Sequence, residues 1–239
     1  MKALSESNTL KFGIPELDRK IGGIPIPSLT LVEGPNNSGK SVLVQQLTWS
    51  ALNNNLKVLY ITTEDTLKGL ISHMERLNWK VTDFFIRGDF KITTLHVRGI
   101  KWNSDISRFF LAVLMGYLER NVKRYDVIII DSLTYVITYA EERDILEFFS
   151  ECRNIVDIEG KVFIVTLHPY AVSRELFVRI RSISDGHIIL SIKEFQGRNV
   201  LVLNAAKLRG ARRGRGDIVS FEVDPAIGIK ILPISSTRV

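Results

Sequence analysis

Gly34-Pro35-Asn36-Asn37-Ser38-Gly39-Lys40-Ser41 satisfies the pattern G-x-x-x-x-G-K-[ST] at each fixed position. It follows a β-branched and aliphatic run, Leu29-Thr30-Leu31-Val32-Glu33, and opens a helix-period segment from 40 to 53. Strand, glycine-containing turn and helix in that order form a building unit of a parallel α/β sheet, so this stretch constrains fold class and ligand class together. Small residues let successive backbone N–H groups turn inward around a phosphate, with the positive end of the helix dipole behind them. In such a loop the Lys40 ammonium reaches the β and γ oxygens of a nucleoside triphosphate and the Ser41 hydroxyl ligates Mg2+. Gly34, Pro35, Asn36, Asn37, Ser38, Gly39, Lys40 and Ser41, with Val42 continuing into the helix, are the expected nucleotide-binding residues.

The rest of the chain repeats the alternation. Short apolar runs at 57–63, 91–97, 127–130 and 161–167 are separated by helix-period segments, as in a mostly parallel sheet with helices on both faces. One helical face is expected from Leu67, Leu70, Ile71, Met74 and Leu77, with Asp65 or Thr66 as its cap. A second comprises Ile106, Phe109, Phe110, Val113, Leu114 and Tyr117, and a third runs from Ile145 to Val156 and stops at Gly160. From Gly186 the period shortens to runs at 187–193, 199–206, 217–223 and 227–232, which are expected to extend the sheet in antiparallel fashion.

With 45% hydrophobic residues the chain can bury a sizeable core, and no linker or internal repeat interrupts it. One domain over 1–239 is expected, with loose ends at 1–9 and 234–239. No signal-like stretch opens the chain and no run approaches 18 apolar residues, so the expected location is the cytoplasm. Cys152, the sole cysteine, falls on an apolar helical face and reads as a packing residue.

Asp131 ends the apolar run Val127-Ile128-Ile129-Ile130 and precedes Ser132. That is the place of a Walker B aspartate, which would hold Mg2+ through water; capping of the next helix is the alternative. Glu64 ends the run at 57–63, where a carboxylate at a parallel strand's C-terminal end faces the ligand crevice. It is a candidate for orienting or deprotonating an attacking water, against a purely structural role, and Asp65 beside it reads as a cap. His168 follows Val165-Thr166-Leu167 and precedes Pro169, where a polar side chain could feel a γ-phosphate or simply donate to a backbone carbonyl. Lys207 and Arg209, in Lys207-Leu208-Arg209-Gly210, are two residues apart at a strand end and so point the same way. Such a pair could clamp a neighbouring subunit's nucleotide, and a trans cation is worth roughly 10³ to 10⁵ in rate, so hydrolysis would be tied to assembly.

The net charge of +6 is concentrated in one place. Lys207, Arg209, Arg212, Arg213 and Arg215 lie between 205 and 215 without an acid, leaving 27 bases against 26 acids elsewhere. The segment suits phosphate on nucleic acid, a lipid surface or a neighbour's nucleotide, or else is a solvated loop. Glu141-Glu142-Arg143-Asp144 at a helix start reads as a solvated face or a docking patch.

Gly13-Ile14-Pro15-Glu16-Leu17-Asp18-Arg19, Ile21-Gly22-Gly23-Ile24-Pro25, the phosphate loop, Asp131-Ser132 and Lys207-Leu208-Arg209-Gly210 resemble, in order and spacing, the RecA/KaiC superfamily of ATPases. The likeness spans nearly the whole chain. Within that group the chain is similar to the FlaH (ArlH) family, the KaiC-like ATP-binding component of the archaellum motor. The residues carrying that likeness are Ile24-Pro25-Ile26-Pro27-Ser28, Thr62-Thr63-Glu64, Glu142-Arg143-Asp144, Thr166-Leu167-His168-Pro169 and Asp224-Pro225-Ala226-Ile227-Gly228-Ile229-Lys230.

The resemblance implies a RecA/KaiC-like core that binds ATP and Mg2+, with Asp131 as the magnesium aspartate. Glu64-Asp65 matches a Glu-Glu pair of KaiC, His168 stands where RecA relatives carry a γ-phosphate sensor, often Gln, and Lys207 with Arg209 matches the trans-acting pair. It further implies a ring-forming homo-oligomer, peripheral to the inner face of the cell membrane through its partners. Those partners would be a FlaI-like motor ATPase and the motor's scaffold proteins, and the chain would act as a nucleotide-dependent assembly and regulatory switch with slow or partner-dependent hydrolysis. A KaiC-like signalling ATPase or kinase would share every site residue. A RadA/RadB-like DNA recombinase draws support from the basic segment. Against it, Leu176, Phe177, Ile180 and Ile183 have helical spacing where relatives that hold single strands carry Gly-rich loops, so nucleic acid is not the expected partner.

Overall fold

The fold is built outward from β3, the strand that delivers the phosphate loop, in a computed structural model that describes residues 9–95, 99–195, 197–208 and 218–232. Ahead of it, β1 (Thr9–Leu10) and β2 (Ile24–Pro25) pair antiparallel around α1 (Pro15–Ile21). Asp18 in α1 accepts hydrogen bonds from the backbone N–H groups of Phe12 (2.7 Å) and Gly13 (3.1 Å). Then come β3 (Ser28–Glu33), α2 (Lys40–Asn53), β4 (Val58–Thr62), α3 (Leu67–Arg76), α4 (Thr82–Arg87), β5 (Phe90–Thr94), α5 (Ser104–Asn121) and β6 (Val127–Asp131). The chain continues through α6 (Thr134–Ile137), α7 (Glu142–Glu159), β7 (Val162–Leu167), α8 (Arg174–Ile183), β8 (Gly186–Phe195), β9 (Arg198–Leu208), β10 (Ile218–Asp224) and β11 (Gly228–Leu232).

Among the described residues nine strands form one sheet in the order β11-β10-β9-β8-β3-β7-β6-β4-β5. The strands from β5 to β8 run parallel, and β9, β10 and β11 alternate. The expectation that all four late strands extend the sheet in antiparallel fashion is corrected at β8, which pairs parallel with β3 from Thr30↔Gly186 onward. The reason is α8, a crossover that returns the chain to the end at which β7 began. Antiparallel growth starts at the β8–β9 hairpin.

Alternate strand residues feed cores on both faces. Ile129, Ile164 and Tyr60 join Leu43 and Leu47 of α2, whereas Ile128, Ile130 and Val165 join Phe149 and Cys152 of α7. Double coverage explains why β3, β6 and β7 are buried along their whole length. The face expected for α5 is rotated in the structure. Ser107, Leu111, Leu114 and Leu118 are buried, while Phe109 and Val113 are exposed. α7 starts at the acidic cluster and ends at Gly160 as expected.

No helix among the described residues is long and apolar enough to cross a membrane. The expected loose ends fall, apart from Thr9, outside the described residues, as do Arg209, Gly210 and the Arg212 to Arg215 segment.

Candidate functional site

Parallel strands put their C-terminal ends along one edge of the sheet, and the order β3-β7-β6-β4 sets what meets there. Register pairs Glu33 with Leu167 and Thr62 with Asp131. The phosphate loop, His168, Asp131 and Glu64 therefore line up across four adjacent strands, and a cleft of about 910 Å³ opens over that edge. It is lined by residues 36–42, Thr63, Glu64, Thr134 and His168, and by the aromatic side chains of Tyr135, Tyr170 and Trp102.

The loop enters α2 at Gly39, whose φ of 90° disfavours any side chain. A Cβ there would also lie 3.2 Å from the Phe221 ring and 3.3 Å from Leu201. Lys40 folds back and donates to the Gly34 carbonyl (2.9 Å) and the Pro35 carbonyl (2.8 Å). Burial pulls its ammonium below the usual lysine range, with Glu64 and Asp131 acting the other way.

Asp131 is the most heavily bonded group of the site. Its Oδ1 accepts from Thr166 Oγ1 (2.7 Å) and Ser41 Oγ (3.3 Å), and its Oδ2 accepts from Tyr60 OH (2.6 Å). Burial raises the carboxyl above its ordinary value, the Tyr60 and Thr166 hydrogen bonds oppose this, and the charge of Glu64 adds to the rise. A carboxylate and a hydroxyl this close are hard oxygen donors of the kind Mg2+ takes in ones and twos, completing its shell with water and phosphate. The donor set thus fits the metal expected from the sequence.

Glu64 Oε1 accepts from Ser132 Oγ (2.8 Å) and lies 3.9 Å from His168 Nε2. Asp65 accepts from the Thr66 N–H and pairs with His73, while Thr66 is the residue that caps α3. His168 is buried, its N–H donates to Thr134 Oγ1 (3.1 Å), and its Nδ1 has no hydrogen-bond partner among the described residues. Burial, then the charge of Lys40, draws the imidazole down to about 4. It is neutral near pH 7 and brings one donor and one acceptor to the cleft.

Lys207 is placed elsewhere. Its ammonium donates to the carbonyl of Arg181 (3.0 Å) and to that of Ser184, at the end of α8. Arg209, its expected companion, lies outside the described residues.

Two groups of contacts escaped the sequence reading. Tyr60 and Thr166 act on Asp131 from the flanking strands, and the one available signal was a tyrosine at the centre of an apolar strand, where a buried hydroxyl needs a partner. The second group lies below the phosphate loop, where Arg181 Nη2 donates to both Glu33 oxygens (2.7 and 2.8 Å) and His187 Nε2 lies 3.1 Å from Oε2. Burial would raise Glu33, but its bonds to His187 and Arg181 outweigh that and hold the carboxyl below its ordinary value.

Comparison with known proteins agrees with this geometry. The family model described as "ATPase: KaiC" matches residues 10–236. The archaeal flagellar ATP-binding protein FlaH of Sulfolobus acidocaldarius is 36% identical over 226 residues, covering 95% of this chain and 97% of that protein. The crystal structure of the flagellar accessory protein FlaH from Methanocaldococcus jannaschii matches with a TM-score of 0.82 at 27% identity, over 95% of this chain and 100% of that one. A KaiC-like protein of Pyrococcus horikoshii, at 24% identity and a TM-score of 0.77, shares the fold over 94% of this chain and 99% of its own.

Proposed function

The chain belongs to the KaiC family of ATPases and within it to the FlaH proteins, and from that premise we propose that it is a Mg-ATP-dependent switch of the archaellum motor. In this reading residues 1–239 act as one RecA/KaiC-like unit. The observation that carries the proposal is the alignment of Lys40, Ser41, Asp131, Glu64 and His168 along one strand-end cleft. Lys40 leaves the Gly34 and Pro35 carbonyls for phosphate oxygens, Asn36, Asn37 and Gly39 present backbone N–H groups, and α2 adds its dipole. Ser41 and Asp131 would hold Mg2+, the latter through water, and the ion would supply positive charge to the phosphate chain. Glu64 orients or deprotonates the attacking water and His168 senses the γ-phosphate.

Binding and hydrolysis are separate in this reading. Lys207 is engaged with the end of α8 in its own protomer, so with Arg209 it serves a neighbour's nucleotide only once a ring has formed. Nucleotide state then governs ring assembly and the grip on a FlaI-like motor ATPase, with the motor's scaffold proteins holding the assembly at the inner face of the membrane.

The test is affinity for a purified FlaI-like motor ATPase measured with ATP, with ADP and without nucleotide. ATP is expected to change it at least severalfold, and equal affinity in all three states removes the switch, because a ligand that does not discriminate between states shifts nothing. Thermal melting tests the binding step itself. With a micromolar Kd and millimolar ATP the gain is about 4 kcal/mol, absent in Lys40→Ala. A wild-type melting temperature that ignores Mg-ATP refutes the nucleotide site.

A further inference from the structure

Tyr60 is fully buried at the centre of β4, where an apolar ring would fill the space without a polar atom to satisfy. Phe90, on the adjacent β5, does that, meeting the Tyr60 ring edge-on at 6.4 Å. The Tyr60 hydroxyl instead donates to Asp131 Oδ2 at 2.6 Å, and Gln45 of α2 is its other polar neighbour. On the opposite side Thr166 of β7 donates to Oδ1 at 2.7 Å. Because β4 and β7 are the two strands that flank β6, the Asp131 carboxylate is clamped from both sides by hydroxyls on rigid sheet positions.

We propose that Tyr60 and Thr166 are positioning residues for magnesium: their hydroxyls fix both oxygens of Asp131 so that the carboxylate receives a metal-bound water and does not close on the metal directly. The inference rests on the reading of Asp131 as the magnesium aspartate. Oδ1 already accepts from Thr166 and Ser41 and Oδ2 from Tyr60, so three of the carboxylate's roughly four lone-pair sites are taken, and bidentate coordination would have to displace at least one of these bonds. Mg2+ demands near-ideal octahedral geometry and retains water, whereas Ca2+ accepts more ligands in looser arrangements, including bidentate carboxylates. A fixed carboxylate that offers outer-sphere contact therefore favours the smaller ion. Neither Tyr60 nor Thr166 lines the cleft.

The experiment is equilibrium titration of a fluorescent ATP analogue at fixed protein concentration against free Mg2+ and, separately, free Ca2+. It compares wild type, Tyr60→Phe and Asp131→Asn, with thermal melts in the absence of metal. Loss of an outer-shell partner is expected to raise the Mg2+ midpoint about 10- to 100-fold in Tyr60→Phe, with a smaller shift for Ca2+. A purely structural tyrosine would lower the metal-free melting temperature and leave the ratio of the two midpoints unchanged, and that result overturns the proposal. Should Tyr60→Phe not fold, Thr166→Val carries the same comparison from β7, and Thr166→Ser, which restores the hydroxyl, is expected to recover the wild-type ratio. If Asp131→Asn raises the Mg2+ midpoint while neither positioning variant does, the clamp is wrong and the aspartate stands. If Asp131→Asn leaves it unchanged, the reading of Asp131 fails and the clamp with it.

Discussion

Acidification is expected to weaken the fold through His168. Its imidazole is buried, and burial together with the charge of Lys40 brings it to about 4 from an ordinary 6.5, with Asp131 opposing. Between those values the unfolded chain takes up a proton that the folded chain refuses. Stability from this group is therefore complete above the unfolded value and falls with pH down to the folded one, by about 1.4 kcal/mol per pH unit. Going from pH 7 to pH 5 removes about 2 kcal/mol by this route. Urea unfolding of wild type and His168→Gln at both pH values isolates the effect, since the other titrating groups are common to both proteins. The wild type should lose about 2 kcal/mol more than the variant between the two conditions. An equal loss in both proteins would mean that the folded site accepts the proton freely, and the argument that His168 is a neutral sensor would fail.

Gly34→Ala places a Cβ 2.7 Å from the Leu190 carbonyl oxygen and 3.0 Å from its Cβ, as well as against the Ser38 hydroxyl, so β3 and β8 must separate. The expected outcome is a loss of about 1–3 kcal/mol in urea unfolding and no melting shift with Mg-ATP, and a normal shift would refute it. Arg181→Leu leaves Glu33 buried with His187 alone; breaking a fully buried pair costs about 3–5 kcal/mol, and the partial exposure of Arg181 lowers the expectation to about 2. Urea midpoints that match wild type would show that the pair does not support the base of the loop. Burial pushes the Cys152 thiol well above its ordinary value, so a thiol reagent at pH 8 should label the urea-unfolded chain and leave the native one unlabelled. Rapid stoichiometric labelling of native protein would contradict the packing seen around α7.

What could be read from the sequence follows from which forces are local. The helix expected over 40–53 is α2, Lys40–Asn53, because the phosphate loop fixes its start and the Asn53-Asn54-Asn55 run marks its end. Asp131, Glu64 and His168 were legible because a polar residue closing a buried parallel strand falls on the ligand edge whichever strands are neighbours. Their partners depend on strand order, which local patterning does not encode. Thr166 and Tyr60 reach Asp131 only because β7 and β4 flank β6. Arg181 meets Glu33 across 148 residues for a similar reason. The direction of β8 was hidden because an apolar run marks a strand without its polarity. The α5 face was misplaced because Phe109 and Val113 are apolar yet lie on the solvent side, so hydrophobicity indicated a stripe rotated from the buried one.

The charges around the cleft explain why binding and turnover can part company. Among the described residues that line it, Lys40 is the one lysine or arginine, against Glu64 on the rim and Asp131 beneath. Loop N–H groups, the α2 dipole and Lys40 suffice to hold a phosphate chain in its ground state. Phosphoryl transfer asks for more, because charge shifts onto oxygens that need further positive partners in the transition state. His168, neutral near pH 7, does not supply that charge, and the Lys207 ammonium is bound to carbonyls at the end of α8. In the proposed reading the further cation arrives from a neighbouring protomer or a partner. α8 itself joins the two ends of this arrangement, since Arg181 grips Glu33 directly before the phosphate loop and its own carbonyl holds Lys207. In the proposed reading a shift at the base of the loop is felt, through Arg181 itself, at the residue proposed to act on the next subunit.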